Sequence, residues 1–325
     1  MTERYLQQKT EPKPVIFKFG GTSTANGKLS GIVKEFKEDS QDFPLVVVSA
    51  IVGTTNRLIE LCDEIEQGRT WESQYWDVWH SHDANALNSG LYAKPAPFLK
   101  DGKIQEDVYL GEALHDASVT LLTEIEAAKT EGMSPRRRAA IQTMGEIFSN
   151  RIQTAHLIDH GVPAVAVDAA DILTTTDDFL NAKILWEPSK EKAKKVLDPL
   201  IAEDIVPVIT GFRGATSDGQ ITELGGRGGS NYTATGLAVI TDANLVKIYT
   251  DVDGIFTRDP NKYKDAVRHD EISFTDAINM GKDGHKIVHP GALEDVLDVI
   301  KDREFVVWVG NTNNPKGPGT LITKQ

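Results

Sequence analysis

The sequence predicts an open α/β sandwich, a mostly parallel sheet with helices packed on both faces. Three observations predict it. Short apolar runs rich in β-branched residues recur along the 325 residues: Val15–Phe19, Leu45–Val48, Val162–Val167, Val206–Thr210, Leu245–Tyr249 and Phe305–Val309. Several are apolar throughout, as strands buried on both faces are. Helical stretches separate them, the alternation that builds parallel sheets. Most runs end in glycine, hydroxyl or carboxylate residues, and such sheets bind ligands at the carboxyl ends of their strands.

In chain order, residues 1–13 are polar and charged, and a flexible tail is expected. Val15–Phe19 is the first strand, followed by a helix near 27–38. Pro44 introduces Leu45–Val48, and the turn Ser49–Asn56 leads into a helix to about Gln67. Residues 70–132 read as helical, broken near Lys94–Pro97. Trp71, Tyr75, Trp76 and Trp79 are spaced for one helical face and are expected in the core. His80 and His82 do not share a face, and neither is expected to bind metal. A helix from about Arg137 to His160 carries Ile141, Met144, Phe148, Ile152 and Ala155 along one side. Strands ending at Asp168, Gly211–Gly214 and Thr250-Asp251 follow. Helices near 274–281 and 290–301 precede the last strand.

Composition narrows the function. A formal net charge of −13 argues against a nucleic-acid surface and against binding anionic membranes. Hydrophobic residues make up 40%, an ordinary globular content. The single cysteine, Cys62, cannot form an intramolecular disulfide and reads as a buried structural thiol. No Cys/His pattern has zinc spacing. With no apolar signal core and no apolar run of spanning length, a cytoplasmic protein is expected.

The chemistry starts at Lys18-Phe19-Gly20-Gly21-Thr22-Ser23. Two glycines allow close backbone approach, Thr22 and Ser23 add hydroxyls, and Lys18 adds a point charge. A strand ending this way before a helix start suits the phosphates of a nucleotide. A Walker loop is absent, because Gly27-Lys28 is followed by Leu29. No G-x-G-x-x-G is completed around Gly225–Ser230, where Asn231 stands in place of the last glycine. The phosphate site must be built another way.

Four stretches, in order, resemble the aspartate kinase branch of the amino acid kinase family. They are Lys18–Ser23; Val48-Ser49-Ala50 with Thr55-Asn56; Leu224-Gly225-Gly226-Arg227-Gly228-Gly229-Ser230-Asn231; and Tyr249-Thr250-Asp251 through Phe256 to Asp259-Pro260. Gly145-Glu146 with Ser149, and Gly284–Pro290, also fit. The resemblance implies ATP- and Mg2+-dependent transfer of the γ-phosphoryl group to the side-chain carboxylate of L-aspartate. The product, 4-phospho-L-aspartate, would feed lysine, threonine and methionine synthesis. A carboxylate nucleophile is already ionised, so no general base is required, and catalysis reduces to positioning and charge neutralisation.

By this resemblance Lys18, Gly20 and Gly21 act at the transferring phosphoryl group, with Asn231 beside them. Glu146 faces the substrate ammonium, Arg227 clamps a carboxylate, and Ser49, Thr55 and Ser230 supply neutral hydrogen bonds. Lys18, Gly21, Thr22, Ser23, Thr250, Asp251, Phe256, Asp259 and Lys286 hold the nucleotide. Magnesium is expected mainly through the ATP phosphates, with no dedicated protein site. An amino-acid-binding half (14–200) and a nucleotide-binding half (201–325) are expected, with the softest boundary near 188–205. A homodimer is expected.

The sequence departs from the family in places. Asn231 stands where the family carries aspartate, which removes a charge beside Lys18, and Gly226 looks like an extra residue. Phe256 and Asn261 replace the usual tyrosine and arginine. Glu223 is a candidate to restore the missing charge. Gly310–Ile322 resembles the close of the catalytic domain, and the paired ACT regulatory domains that usually follow are missing. No ACT-mediated inhibition by lysine or threonine is expected. Two other readings stay open: a relative acting on another small acid, and a degenerate kinase that senses nucleotide or amino acid.

Overall fold

The structure, a computed structural model, describes residues 13–24, 27–226, 228–283, 290–300 and 303–324. Strand β1 (Pro14–Phe19) leads into the one-turn α1 (Gly21–Thr24) and into α2 (Leu29–Asp39). Next come β2 (Phe43–Val48), α3 (Thr54–Glu66) and α4 (Glu72–Asn88). A hairpin, β3 (Phe98–Lys100) and β4 (Lys103–Gln105), precedes α5 (Leu110–Glu131), α6 (Pro135–Gln142), α7 (Met144–Asp159) and β5 (Ala164–Val167). The chain continues through α8 (Trp186–Ala202), β6 (Val206–Thr210), the small hairpin β7 (Arg213–Ala215) and β8 (Ile221–Glu223), α9 (Gly229–Ile240) and β9 (Leu245–Thr250). It closes with β10 (Glu271–Ser273), α10 (Phe274–Lys282), α11 (Pro290–Leu297), β11 (Val306–Asn311) and β12 (Thr320–Thr323).

Among the described residues ten strands form one sheet in the order β10-β12-β11-β9-β1-β2-β6-β5-β3-β4. Its pairs are parallel except β11–β12 and β3–β4. The expected sandwich is therefore found. Strand β1 lies between β2 and β9, in register Phe19↔Val48 and Phe19↔Tyr249. The chain leaves β1 toward one side and returns on the other, which opens a crevice at its carboxyl end.

Alternation along β1 fills both faces. Ile16 packs with Val246, Ile248 and Leu237 on one face, and Phe17 and Phe19 pack with Leu29, Val33 and Leu157 on the other. Phe19 stacks on Tyr249 with ring centroids 4.8 Å apart. A third cluster, including Leu58, Leu61, Leu114, Leu121, Phe148 and Ile152, joins α3 through α7. Cys62 is buried there, as expected.

Three expectations need correction. Residues 98–105 are a hairpin, not part of a helix. Asp101-Gly102 takes left-handed φ values of 51° and 72°, the two-residue turn that Asp-Gly favours. Trp76 is 50% exposed and stacks on His80, because the buried stripe of α4 runs through Tyr75, Val78, His82 and Ala86. The helix expected over 137–160 breaks at Thr143, whose hydroxyl accepts from Arg213 Nη1 at 2.5 Å. Residues 188–205, where the two halves were expected to meet, are largely helix α8, which buries Ser189, Ala193, Leu197 and Leu200. Residues 1–12 of the expected tail lie outside the described residues. Lys13 is tied down, its N–H donating to Asp42 Oδ1 at 3.0 Å.

Candidate active site

The carboxyl ends of β11, β9, β1, β2 and β6 lie side by side, and two groups of residues gather there. On the β9 side, Gly20 N–H donates to Tyr249 O (3.2 Å), and Ser23 and Thr24 N–H turn back onto Gly20 O (2.9 and 3.0 Å). The Ser23 hydroxyl shares a 2.5 Å hydrogen bond with the Thr312 hydroxyl. Thr312 in turn donates from its N–H (2.9 Å) and its hydroxyl (3.0 Å) to Thr250 O. The loop after β1 is thus pinned to β9 and β11, and Ser23 takes part in the clamp. Thr22 stays exposed. Thr250 donates to Asp251 Oδ1 at 3.0 Å. Further along, Phe256 is partly buried and bridges Arg268 through its backbone, while exposed Asp259 accepts from Asn261 N–H at 3.0 Å.

On the β2 side, Ser49 N–H donates to Phe19 O (3.1 Å) and Gly211 N–H donates to Val48 O (2.8 Å). The loops here touch through backbone. A Cβ on Gly21 would lie 2.7 Å from Ala50 O, and one on Gly145 would lie 2.8 Å from both Ala50 Cβ and Thr54 Cγ2. A Cβ on Gly211 would meet Ser230 at 2.5 Å. Gly20 differs, since a Cβ there would find nothing nearer than 3.6 Å. Gly21→Ala is therefore expected to lower the unfolding midpoint and to cut turnover by about tenfold or more by separating the two loops. Gly20→Ala should leave the midpoint unchanged. Thermal unfolding of the pair checks this, and equal midpoints would contradict the loop contact.

Two helix starts complete this side. Glu146 lies in the first turn of α7, where the backbone N–H groups of Ala50 and of Glu146 itself favour its charged form. Ser230 and Asn231 open α9 behind Gly225, Gly226 and Gly228, whose φ values of 59°, 59° and 98° lie in the left-handed region that favours glycine. Gly226 thus takes part in the turn. Asn231 N–H donates to Gly228 O at 2.8 Å, and its buried Oδ1 has no hydrogen-bond partner among the described residues. Ser49 and Thr55 are partly exposed beside Glu146's loop. Arg227 and Lys286 lie outside the described residues.

Burial dominates the electrostatics. Lys18, 9% exposed, is pushed down to about 8 by desolvation, opposed by Glu146. Glu146 is pushed up to about 8 by desolvation, opposed by the two N–H groups, Arg213 and Lys18. Glu223 is also pushed up to about 8, by burial and then by Glu146. Its charged neighbours are Glu146 and Arg138, so it does not supply the charge missing beside Lys18. The reason is the β7–β8 hairpin, which packs on α6 and sets Glu223 toward the helices.

Sequence reasoning missed two residues. Arg213 is 7% exposed, and its Nε donates to Asp168 Oδ1 and Oδ2 at 3.0 and 2.8 Å. Phe212, before it, has a left-handed φ of 64°, a strained state for a bulky residue that tends to mark functional sites. Both lie in the Gly211–Gly214 strand end already singled out, but neither the strain nor the ion pair has a sequence signature. Among the described residues no group of three or more His, Cys, Asp or Glu side chains could hold a metal ion by itself. None of their helices is long and apolar enough to cross a membrane.

A paired-glycine turn at the switch point of a parallel sheet, with buried Lys18 next to it and the buried carboxylate Glu146 at a helix start, marks an α/β protein of the class that holds small anionic ligands at its strand ends. The chain belongs to the amino acid kinase family, whose model matches residues 13–297. Lysine-sensitive aspartokinase 3 of Escherichia coli (strain K12) is 32% identical over 311 residues, covering 96% of this chain and 64% of the relative. Chloroplastic aspartokinase 1 of Arabidopsis thaliana is 31% identical over 321 residues, covering 95% of this chain and 52% of the relative. The chain therefore spans about half to two-thirds of these relatives' length. The crystal structure of E. coli aspartokinase III in complex with aspartate and ADP matches with a TM-score of 0.80 at 30% identity, over 96% of this chain and 65% of that one.

Proposed function

We propose that this chain is an aspartate kinase unit that transfers the γ-phosphoryl group of ATP to the side-chain carboxylate of L-aspartate, giving 4-phospho-L-aspartate. The observation that carries this reading is Lys18, buried at the carboxyl end of the central strand between the β9 loop and Glu146. The similarity to the aspartokinases supports it. In the reaction, nucleotide phosphates lie over Gly20, Gly21 and Thr22, with Thr250, Asp251, Phe256, Asp259 and Lys286 around the nucleoside. The amino acid lies between Ser49, Thr55, Glu146, Arg227 and Ser230.

The aspartate carboxylate attacks the γ-phosphorus, and the bond to the β-γ bridging oxygen breaks. Lys18 and the Gly21 amide offset charge on the equatorial oxygens, the kind of preorganised electrostatic effect that usually dominates catalysis, while Gly20, whose N–H is held by Tyr249 O, gives the phosphoryl group room beside Lys18. Mg2+, carried on the triphosphate rather than on a protein site of its own, would supply further charge neutralisation there. Residues 14–200 supply most of the amino acid side and 201–325 most of the nucleotide side, while β6 and the start of α9 cross over. Hydroxylamine, which turns an acyl phosphate into a hydroxamate, reads the reaction directly.

The unpartnered Asn231 Oδ1 favours one alternative, a relative that phosphorylates another small acid. A panel of acids in the same assay separates the two. We further place the protein in the cytoplasm as a homodimer. Exposed Trp76 and Leu87 on α4 and Val119 and Leu122 on α5 offer apolar area to a second copy, and the sedimentation mass decides it.

A further inference from the structure

Glu146 and Glu223 are 3% and 5% exposed, yet Glu146 Oε2 and Glu223 Oε1 have no hydrogen-bond partner among the described residues. A third buried oxygen, Ser149 Oγ, is also without a partner among the described residues. Ser149 lies three residues after Glu146 on α7, so the two share a helix face. Buried acceptors are costly unless a donor meets them, and two carboxylates in electrostatic contact are costlier still.

Among the described residues, the cations that face these carboxylates are committed elsewhere. Arg138, which faces Glu223, is bound to Asp63 (2.7 Å) and Glu66 (2.6 Å). Arg213, which faces Glu146, is bound to Asp168 and Thr143. Lys18, the other cation facing Glu146, belongs to the phosphate side. What is missing is a compact cation with several N–H donors.

We infer that Glu223 is a specificity-determining residue, which with Glu146 and Ser149 forms a seat for the ammonium group of the amino acid substrate. The three orphan oxygens match the three N–H donors of an ammonium. This inference rests on the proposed reaction and deepens it. The site selects acids that carry a free α-amino group, and Glu223 sets how strongly.

The test compares L-aspartate with succinate, which has the same reacting carboxylate and no amino group. Both are assayed with Mg-ATP and hydroxylamine, using the wild-type chain, Glu223→Gln and Glu223→Asp. Losing one charged acceptor should lower the aspartate-to-succinate ratio of kcat/KM by about tenfold in Glu223→Gln. Glu223→Asp, which keeps the charge, should retain most of the ratio. An unchanged KM for ATP shows that the variants are folded, and a merely structural Glu223 would leave the ratio alone. A wild-type ratio in Glu223→Gln, with a normal KM for ATP, overturns the seat while leaving the reaction standing. No hydroxamate from L-aspartate with the wild-type chain overturns the reaction itself, and the seat with it.

Discussion

Lys18→Ala is expected to lower kcat by about a hundredfold or more, because it removes a preorganised charge from the transferring phosphoryl group. Lys18 sits in the strand that both β2 and β9 pair with, so its position is set by the most central backbone in the sheet. Burial pushes Lys18 down to about 8, so its protein surroundings alone disfavour its charge. The phosphoryl oxygens of the nucleotide reverse that balance, and most of all in the transition state, where their charge is redistributed. Removing the ammonium should therefore not destabilise the empty protein. Steady-state kinetics and thermal unfolding check both halves of this. A loss confined to the apparent affinity for aspartate, with kcat intact, would contradict the role.

Glu146→Gln is expected to weaken aspartate binding by about 10- to 100-fold, the usual range for losing a hydrogen bond to a charged group. The same change should stabilise the empty protein in a pH-dependent way. The folded-state value of Glu146 is raised from 4.5 to about 8. The stability it contributes is therefore fully present below about 4.5 and is lost as pH rises through about 8. Glutamine does not titrate and loses nothing. The variant should unfold at a higher temperature than wild type at pH 8, by roughly 2 °C or more, with the gap closing toward pH 5. Lys18 has the opposite sign, being lowered from 10.5 to about 8, so its contribution is lost as pH falls from the alkaline side and does not confuse this window. A gap of the same size at both pH values would show that Glu146 is not a desolvated carboxylate.

The central strands were legible because they are buried on both faces and read as unbroken apolar runs. The Lys18–Ser23 turn was legible as a strand end leading into a helix start, because a glycine pair after an apolar run favours a turn. Helix α9 was not read, for a physical reason: its residues are buried all round, so it shows no amphipathic stripe. The β3–β4 hairpin carried an Asp-Gly signal that the helical stretches on either side overrode. At the site, Glu146 and Ser230 were singled out by motif, and the structure sets both in the first turns of helices. Side chains that matter through burial could not be placed by motif. Glu223 precedes a recognised loop, but only the packing of its hairpin on α6 shows that it answers to Glu146 rather than to Lys18. The Gly21 contact with Ala50 O is likewise a three-dimensional fact, invisible in a motif that reads equally well as a phosphate turn.

The most direct measurement is hydroxamate formation from Mg-ATP and a panel of acids, with ADP release followed in the same mixture. The account predicts hydroxamate with L-aspartate in step with ADP, and loss of both in Lys18→Ala. Nucleotide binding without hydroxamate from any acid would contradict it and would leave a nucleotide-binding protein in which Asn231 is the first residue to revert to aspartate.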